Sequence, residues 1–189
     1  MTAQTGKYWI EQGHMIRGII FTAMLMLMDA SPSLGGVGIP LSSPHLFWTE
    51  NKVPYVITTA HNPAIIFSAI KEFQSKTNIR FVPRSDEKDF LELAGAPENE
   101  HPCSWGGSTS RWGKRPGRQI LSLGPGCKLG NYIHELAHVL GMYHEQQHPD
   151  RDRFILVSFN NIISGFKAYF EINPSWIPAP GQAHSPFDF

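Results

Sequence analysis

Neither sign of charge prevails in this chain: 16 lysines and arginines offset 16 aspartates and glutamates across 189 residues. That balance argues against nucleic acid or an anionic membrane surface as a partner. Long apolar runs are missing too. Gly18 to Met28, which follows Arg17, is too short to span a bilayer, so no stable membrane span is expected. The run is similar to the core of a secretory leader, with Ala30 near a plausible cleavage point and Met15 competing with Met1 as the start. A Met-rich packing helix is the competing reading. Cysteine occurs twice, at Cys103 and Cys127, and the residues alone leave a bridge and two free thiols equally open. Repeats and low-complexity tracts are absent, and the aromatics with scattered Gly and Pro suit a folded domain rich in loops. At this length the chain is one domain, or one domain behind a leader.

What is present divides the chain into three parts. Residues 1–30 read as a signal-like or alternative leader, residues 31–45 as a linker rich in Gly, Ser and Pro, and residues 46–189 as the folded domain. Within that domain Val53 to Thr58 is β-branched and aromatic and reads as a strand. Asn62 and Pro63 open a helix as N-cap and first residue, and it runs to about Lys76 with Ile66, Phe67, Ile70 and Phe73 on one face. Ile79 to Val82 and Phe90 to Ala94 read as short strands, and residues 95–117 as a Gly-rich, Trp-bearing connection. Gln119 to Leu123 reads as a strand at the sheet edge. Leu129 to Leu140 is a helix, Val157 to Phe170 a further helix, and the prolines beyond Asn173 argue against regular structure.

The chemistry is concentrated between His134 and His144. Residues four apart on a helix stand one above the other, so His134 and His138 can aim ring nitrogens at one metal ion. Gly141 lets the chain leave the helix and bring His144 round as a third ligand. Three protein ligands leave the fourth position of a zinc ion open, as a catalytic site requires. Glu135 stands beside them as a general base rather than a ligand. Ile133, Leu136, Ala137, Val139 and Leu140 give that helix an apolar body. The bland reading is a buried amphipathic helix whose histidines hydrogen-bond in the core; the extended spacing of Glu, Gly and third His weighs against it.

The segment from His134 through His144 and on through Glu145, Gln146, Gln147, His148, Pro149, Asp150, Arg151 and Asp152 resembles the signature of the astacin family of zinc endopeptidases. Val53 to Ile57 resembles the family's first strand, and Ala69 to Phe73 with Thr77 and Ile79 to Val82 its first helix and second strand. Leu121 to Gly124, followed by Cys127, resembles its edge strand and the turn into the zinc helix. The likeness runs from about Leu46 to the C-terminus. It implies an α+β, zincin-like (metzincin) catalytic domain: a twisted mixed sheet with an edge strand, two long helices, and a C-terminal subdomain that is largely missing here. The family's Ser-x-Met-His-Tyr turn is absent, and Pro186 to Phe189 resembles the stretch just before it, so the chain reads as stopping short of that turn. Asn78 stands where the family has Cys, and His148 where it has Arg. The propeptide pattern Phe-x-Gly-Asp is not found; Asp29 lacks that setting.

The resemblance implies a zinc-dependent endopeptidase with one catalytic Zn2+ held by His134, His138 and His144, Glu135 as general base, and a protein or peptide as substrate. It implies a disulfide between Cys103 and Cys127, which closes a loop at about 3 kcal/mol in the chain-entropy model and suits a secreted, extracellular protein. It gives Glu145 a contact with the domain's N-terminus, and Asp150, Arg151 and Asp152 structural roles. His148 reads as a surface residue, and Trp105 and Trp112 as packing for the Gly-rich loop. The strand Gln119 to Leu123 would align an extended substrate by main-chain pairing; the specificity pocket and oligomeric state have no signal. The other reading is a catalytically inactive truncated isoform or fragment that binds zinc or a protein partner without turnover.

Overall fold

The computed structural model describes residues 8–10, 44–58, 62–96, 108–109, 112–149 and 151–173. In chain order its strands are β1 (Tyr8–Ile10), β2 (Lys52–Ile57), β3 (Arg80–Pro83), β4 (Phe90–Gly95), β5 (Ser108–Thr109), β6 (Arg118–Leu123) and β7 (Ile155–Val157), and its α-helices are α1 (Pro63–Lys76) and α2 (Leu129–Val139).

Helix α1 starts where the sequence says it should. The Asn62 side chain accepts from the Ile65 N–H at 3.3 Å, and Pro63 occupies a first-turn position where no N–H is needed. Thr77 stops it in an extended conformation, with both its N–H and its hydroxyl donating to the Phe73 carbonyl. The buried face is Ile66, Ala69, Ile70 and Phe73, the three- and four-residue spacing of a packed helix. Phe67 does not belong to it: at 52% exposure it lies about 100° from Ile66, the rotation of one helical step.

The main sheet has the order β3-β2-β4-β6-β5. The first four run parallel, and β5 is antiparallel to β6, with Ser108 opposite Ser122 and Thr109 opposite Leu121. Parallel neighbours need a crossover, and α1 supplies the one between β2 and β3. The expected edge position of the Gln119 to Leu123 strand is therefore corrected at Leu121 and Ser122, where β5 pairs with β6; among the described residues β5 is the outermost strand. Two residues of strand inside a Gly-rich connection carry no alternation for a sequence pattern to detect.

One hydrophobic cluster joins Val53, Leu91, Leu93, Leu121 and Leu123 of the sheet to Ile66 and Phe73 of α1 and to Tyr132, Ile133, Leu136 and Val139 of α2. Each leucine there is almost wholly removed from water and contributes roughly 1.5–3 kcal/mol by transfer. This packing fixes α2 against β6 and so fixes where the histidines stand.

The expected helix from Val157 to Phe170 is not α-helical. Its first residue ends β7, and 3-10 turns follow at Phe159–Asn161 and Ser164–Phe170. Asn160, Asn161, Ser164 and Gly165 with β-branched Ile162 and Ile163 are poor α-helix formers. Buried Arg151 ties this segment down: its Nη1 donates to the Gln146 carbonyl at 2.7 Å and to the Phe170 carbonyl. The structural role expected of Arg151 is supported by these bonds. Of the segment read as a leader only β1 is described, paired in parallel with β7; Gly18 to Ala30, the linker before residue 44 and the residues after Asn173 lie outside the described residues. No helix among the described residues is long and apolar enough to cross a membrane.

Candidate metal centre

Helix α2 places His134 and His138 one turn apart and then stops abruptly. The Gly141 N–H donates to the His138 carbonyl at 2.9 Å, and the Met142 N–H reaches back to the Ala137 carbonyl at 3.0 Å. This pair of bonds is the Schellman arrangement, which needs a residue of positive φ, and Gly141 has φ 102°. The expectation that the chain leaves the helix at Gly141 is met. The reversal brings His144 back over the helix end. We predict that Gly141→Ala destabilises the chain by about 1–2 kcal/mol, the cost of a side chain in left-handed backbone. Gly165→Ala is the contrast, since a Cβ there meets nothing within 4 Å. Urea unfolding in the presence of chelator checks both; equal midpoints for the two variants would show the turn to be unstrained.

The three imidazoles converge. His138 Nε2 lies 3.0 Å from His134 Nε2 and 3.0 Å from His144 Nε2, and His134 and His144 are 3.2 Å apart at the same atoms. No carboxylate or thiol among the described residues joins this group at ligand distance. A tetrahedral zinc ion with bonds of about 2.0–2.1 Å holds its nitrogens about 3.3 Å apart, so the set fits zinc with one position left over. The tautomer is fixed as well. His138 Nδ1 is 2.7 Å from the Met142 carbonyl, which can only accept, so Nδ1 carries the proton and Nε2 presents its lone pair. Burial lowers the pKa of all three histidines. His134 falls to about 3, with His138 and His144 adding to the effect of burial, and His144 falls to about 4, with His138 adding to it. For His138 the bond to Met142 opposes burial, and burial prevails. The site is thus a neutral nitrogen donor set at neutral pH, the form that ligates a metal.

Glu135 is buried on the same helix next to His134 and outside the group of ligand atoms. His148 corrects its expectation: it is 6% exposed, not a surface residue, and it stands outside the triad. Cys127 is buried at the turn before α2 and disulfide-bonded; Cys103 lies outside the described residues, as do Trp105 and Asp150. Glu145 opens a 3-10 turn, Glu145–Gln147, directly after the third histidine.

Several residues around the site had no signal in the sequence. The indole of Trp48 donates to the Val139 carbonyl at 2.9 Å, 91 residues away. Gly113 N–H donates to the His138 carbonyl at 2.8 Å, and the Gln119 side chain donates to the Gly113 carbonyl at 3.0 Å. Trp112 adds more than loop packing: its ring centroid is 6.3 Å from that of His138 and 4.9 Å from that of Tyr143. These contacts join distant parts of the chain, and no local pattern marks them.

Comparison with known proteins agrees with this geometry. The family model described as Astacin, a peptidase family, matches residues 41–180. Zinc metalloproteinase nas-12 of Caenorhabditis elegans is 38% identical over 148 residues, covering 76% of this chain and 36% of the relative. Embryonic protein UVS.2 of Xenopus laevis is 40% identical over 124 residues, covering 63% of this chain and 22% of the relative. The chain thus spans about a third or less of the length of these relatives. Among solved structures, high choriolytic enzyme 1, a hatching enzyme zinc-protease from the medaka Oryzias latipes, superposes with a TM-score of 0.61 at 31% identity, covering 72% of this chain and 68% of that one.

Proposed function

Because the chain belongs to the astacin family, we propose that it is a zinc-dependent endopeptidase that hydrolyses peptide bonds of protein substrates. The observation that carries this reading is the convergence of three neutral Nε2 atoms, from His134, His138 and His144, within 3.0–3.2 Å of one another. One zinc ion held there would polarise a carbonyl as a Lewis acid and bring the pKa of water toward neutrality.

The residues of the chain account for the rest. His138 is held in the ligating tautomer by the Met142 carbonyl, so its orientation does not have to be set when metal arrives. Glu135, outside the ligand group, takes the proton from the attacking water onto a carboxylate oxygen and passes it to the nitrogen of the leaving amine. No side chain has to form a covalent bond to the substrate. β5, the outermost strand of the sheet among the described residues, replaces β6 as the strand that would pair its main chain with an extended substrate. Cys127 is disulfide-bonded; the family resemblance implies Cys103 as its partner, and such a bond would fit an oxidising, extracellular setting.

The test is hydrolysis of a generic unfolded protein by the purified chain, with and without a zinc chelator. Turnover that chelation abolishes and added zinc restores is the expected result. A folded, zinc-loaded chain that leaves the substrate intact would instead establish a metal-binding protein without turnover.

A further inference from the structure

The C-terminal end of α2 is held from outside the helix. The last carbonyls of a helix lack partners in their own ladder, and here three remote groups meet them or one another. Trp48, 6% exposed, donates from Nε1 to the Val139 carbonyl at 2.9 Å. Gly113 donates to the His138 carbonyl at 2.8 Å, and Lys114 donates to the Leu46 carbonyl at 2.7 Å. The segments 46–48 and 112–114 are therefore bonded both to each other and to the end of the helix. Immediately beyond that end lies the 140–142 turn, whose Met142 carbonyl accepts the Nδ1 proton of His138.

We propose that Trp48 is a positioning residue for the metal centre, acting through the Val139 carbonyl on the turn that orients His138 and delivers His144. Val139 is followed directly by the Schellman turn, so a shift of its peptide plane moves the Gly141 and Met142 groups that set two of the three ligands. An indole is suited to the task, because it fills the core with its rings and spends a single N–H on a carbonyl that would otherwise be buried without that donor. The inference rests on the metal-centre reading of the three histidines.

The experiment compares Co2+ binding by the full chain with binding by Trp48→Phe, which keeps an aromatic ring and removes the N–H. Ile66→Val serves as a control that loosens the same core without removing a hydrogen bond. Affinity is read by competition with a chelator, and ligand geometry by the visible absorption of the bound ion. Loss of a direct partner of a metal-ligating histidine costs about 10–100-fold in metal affinity. Trp48 acts one bond further out, so Trp48→Phe is expected at about the lower limit, a loss near tenfold, with an altered absorption band. Ile66→Val is expected to leave both unchanged even where its unfolding midpoint falls. Should Trp48→Phe bind Co2+ with unchanged affinity and spectrum, or should Ile66→Val show the same loss, Trp48 is only a packing residue. If the unaltered chain binds no Co2+, the metal-centre reading falls and this inference with it.

Discussion

Replacing Glu135 with alanine should lower proteolysis at least about 10²–10⁴-fold while the chain keeps one bound zinc. The range is that of a positioned general base. The retained metal follows from the geometry, because the ligand set is three imidazoles and the Glu135 carboxylate is not among the clustered ligand atoms. Loss of turnover with the metal content unchanged separates a base from a ligand; loss of both would make Glu135 part of the metal site. Glu135 is 5% exposed, so alanine also removes a buried carboxyl group and its contacts. The isosteric Glu135→Gln keeps the volume and should be as inactive. The decisive measurements are kcat/KM on a fluorogenic peptide and zinc content by elemental analysis. Activity within a few-fold of the unaltered chain would end the assignment.

The second large effect is on acid stability. In the folded chain without metal, burial and mutual repulsion hold His134 at about 3 and His144 at about 4, against 6.5 in an unfolded chain. Between those limits the unfolded state binds more protons than the folded one, so stability rises with pH and falls as pH drops. The loss begins as pH falls through 6.5 and levels off near 3. It amounts to several kcal/mol at about 1.4 kcal/mol per pKa unit per histidine. Urea midpoints of the chelated chain at about pH 7, 6, 5 and 4 should decline steadily, and over most of that range unfolded carboxylates are still largely charged. A flat profile across the upper half of that range would contradict the burial of the site. The same lowering at all three histidines makes the folded site a poor proton acceptor, so zinc meets little competition from protons at neutral pH. Asp89 and Glu92 are also held below the usual carboxylate range, by Lys114 and Arg118 respectively, and add acid sensitivity of the same sign at lower pH.

The sequence and the structure agree where the signal is local. The cap at Asn62, the stop at Thr77, the burial of α2 and the turn at Gly141 all follow from residues within a few positions of one another. The metal ligands belong to this class, since they lie within a single helix and its exit. The helix expected from Val157 to Phe170 fails for a local reason, its run of weak helix formers; the other expectations that fail depend on partners far along the chain. Apolar character alone puts Phe67 in the buried stripe beside Ile66, and only the packing of α1 against α2 and β3 separates the two. β6 reads as the edge because β5, its true outer neighbour, is two residues long. His148 reads as exposed because nothing near it announces that the chain folds over it. Nothing local singles out Trp48, since its role depends on a carbonyl 91 residues away.

The brevity of the ligand segment against the length of its supports bears on how the chain folds. His134, His138 and His144 need one helix and one turn, structures that form in about microseconds. The sheet that carries α2 pairs β2 with β4 and β4 with β6 in parallel, across separations that include a whole helix or a long connection, and such non-local pairing is slow. A metal ion present during refolding therefore encounters its ligands before the surface that supports them exists. Any affinity of such sheetless helical species for the metal would subtract from the metal's leverage on net stability.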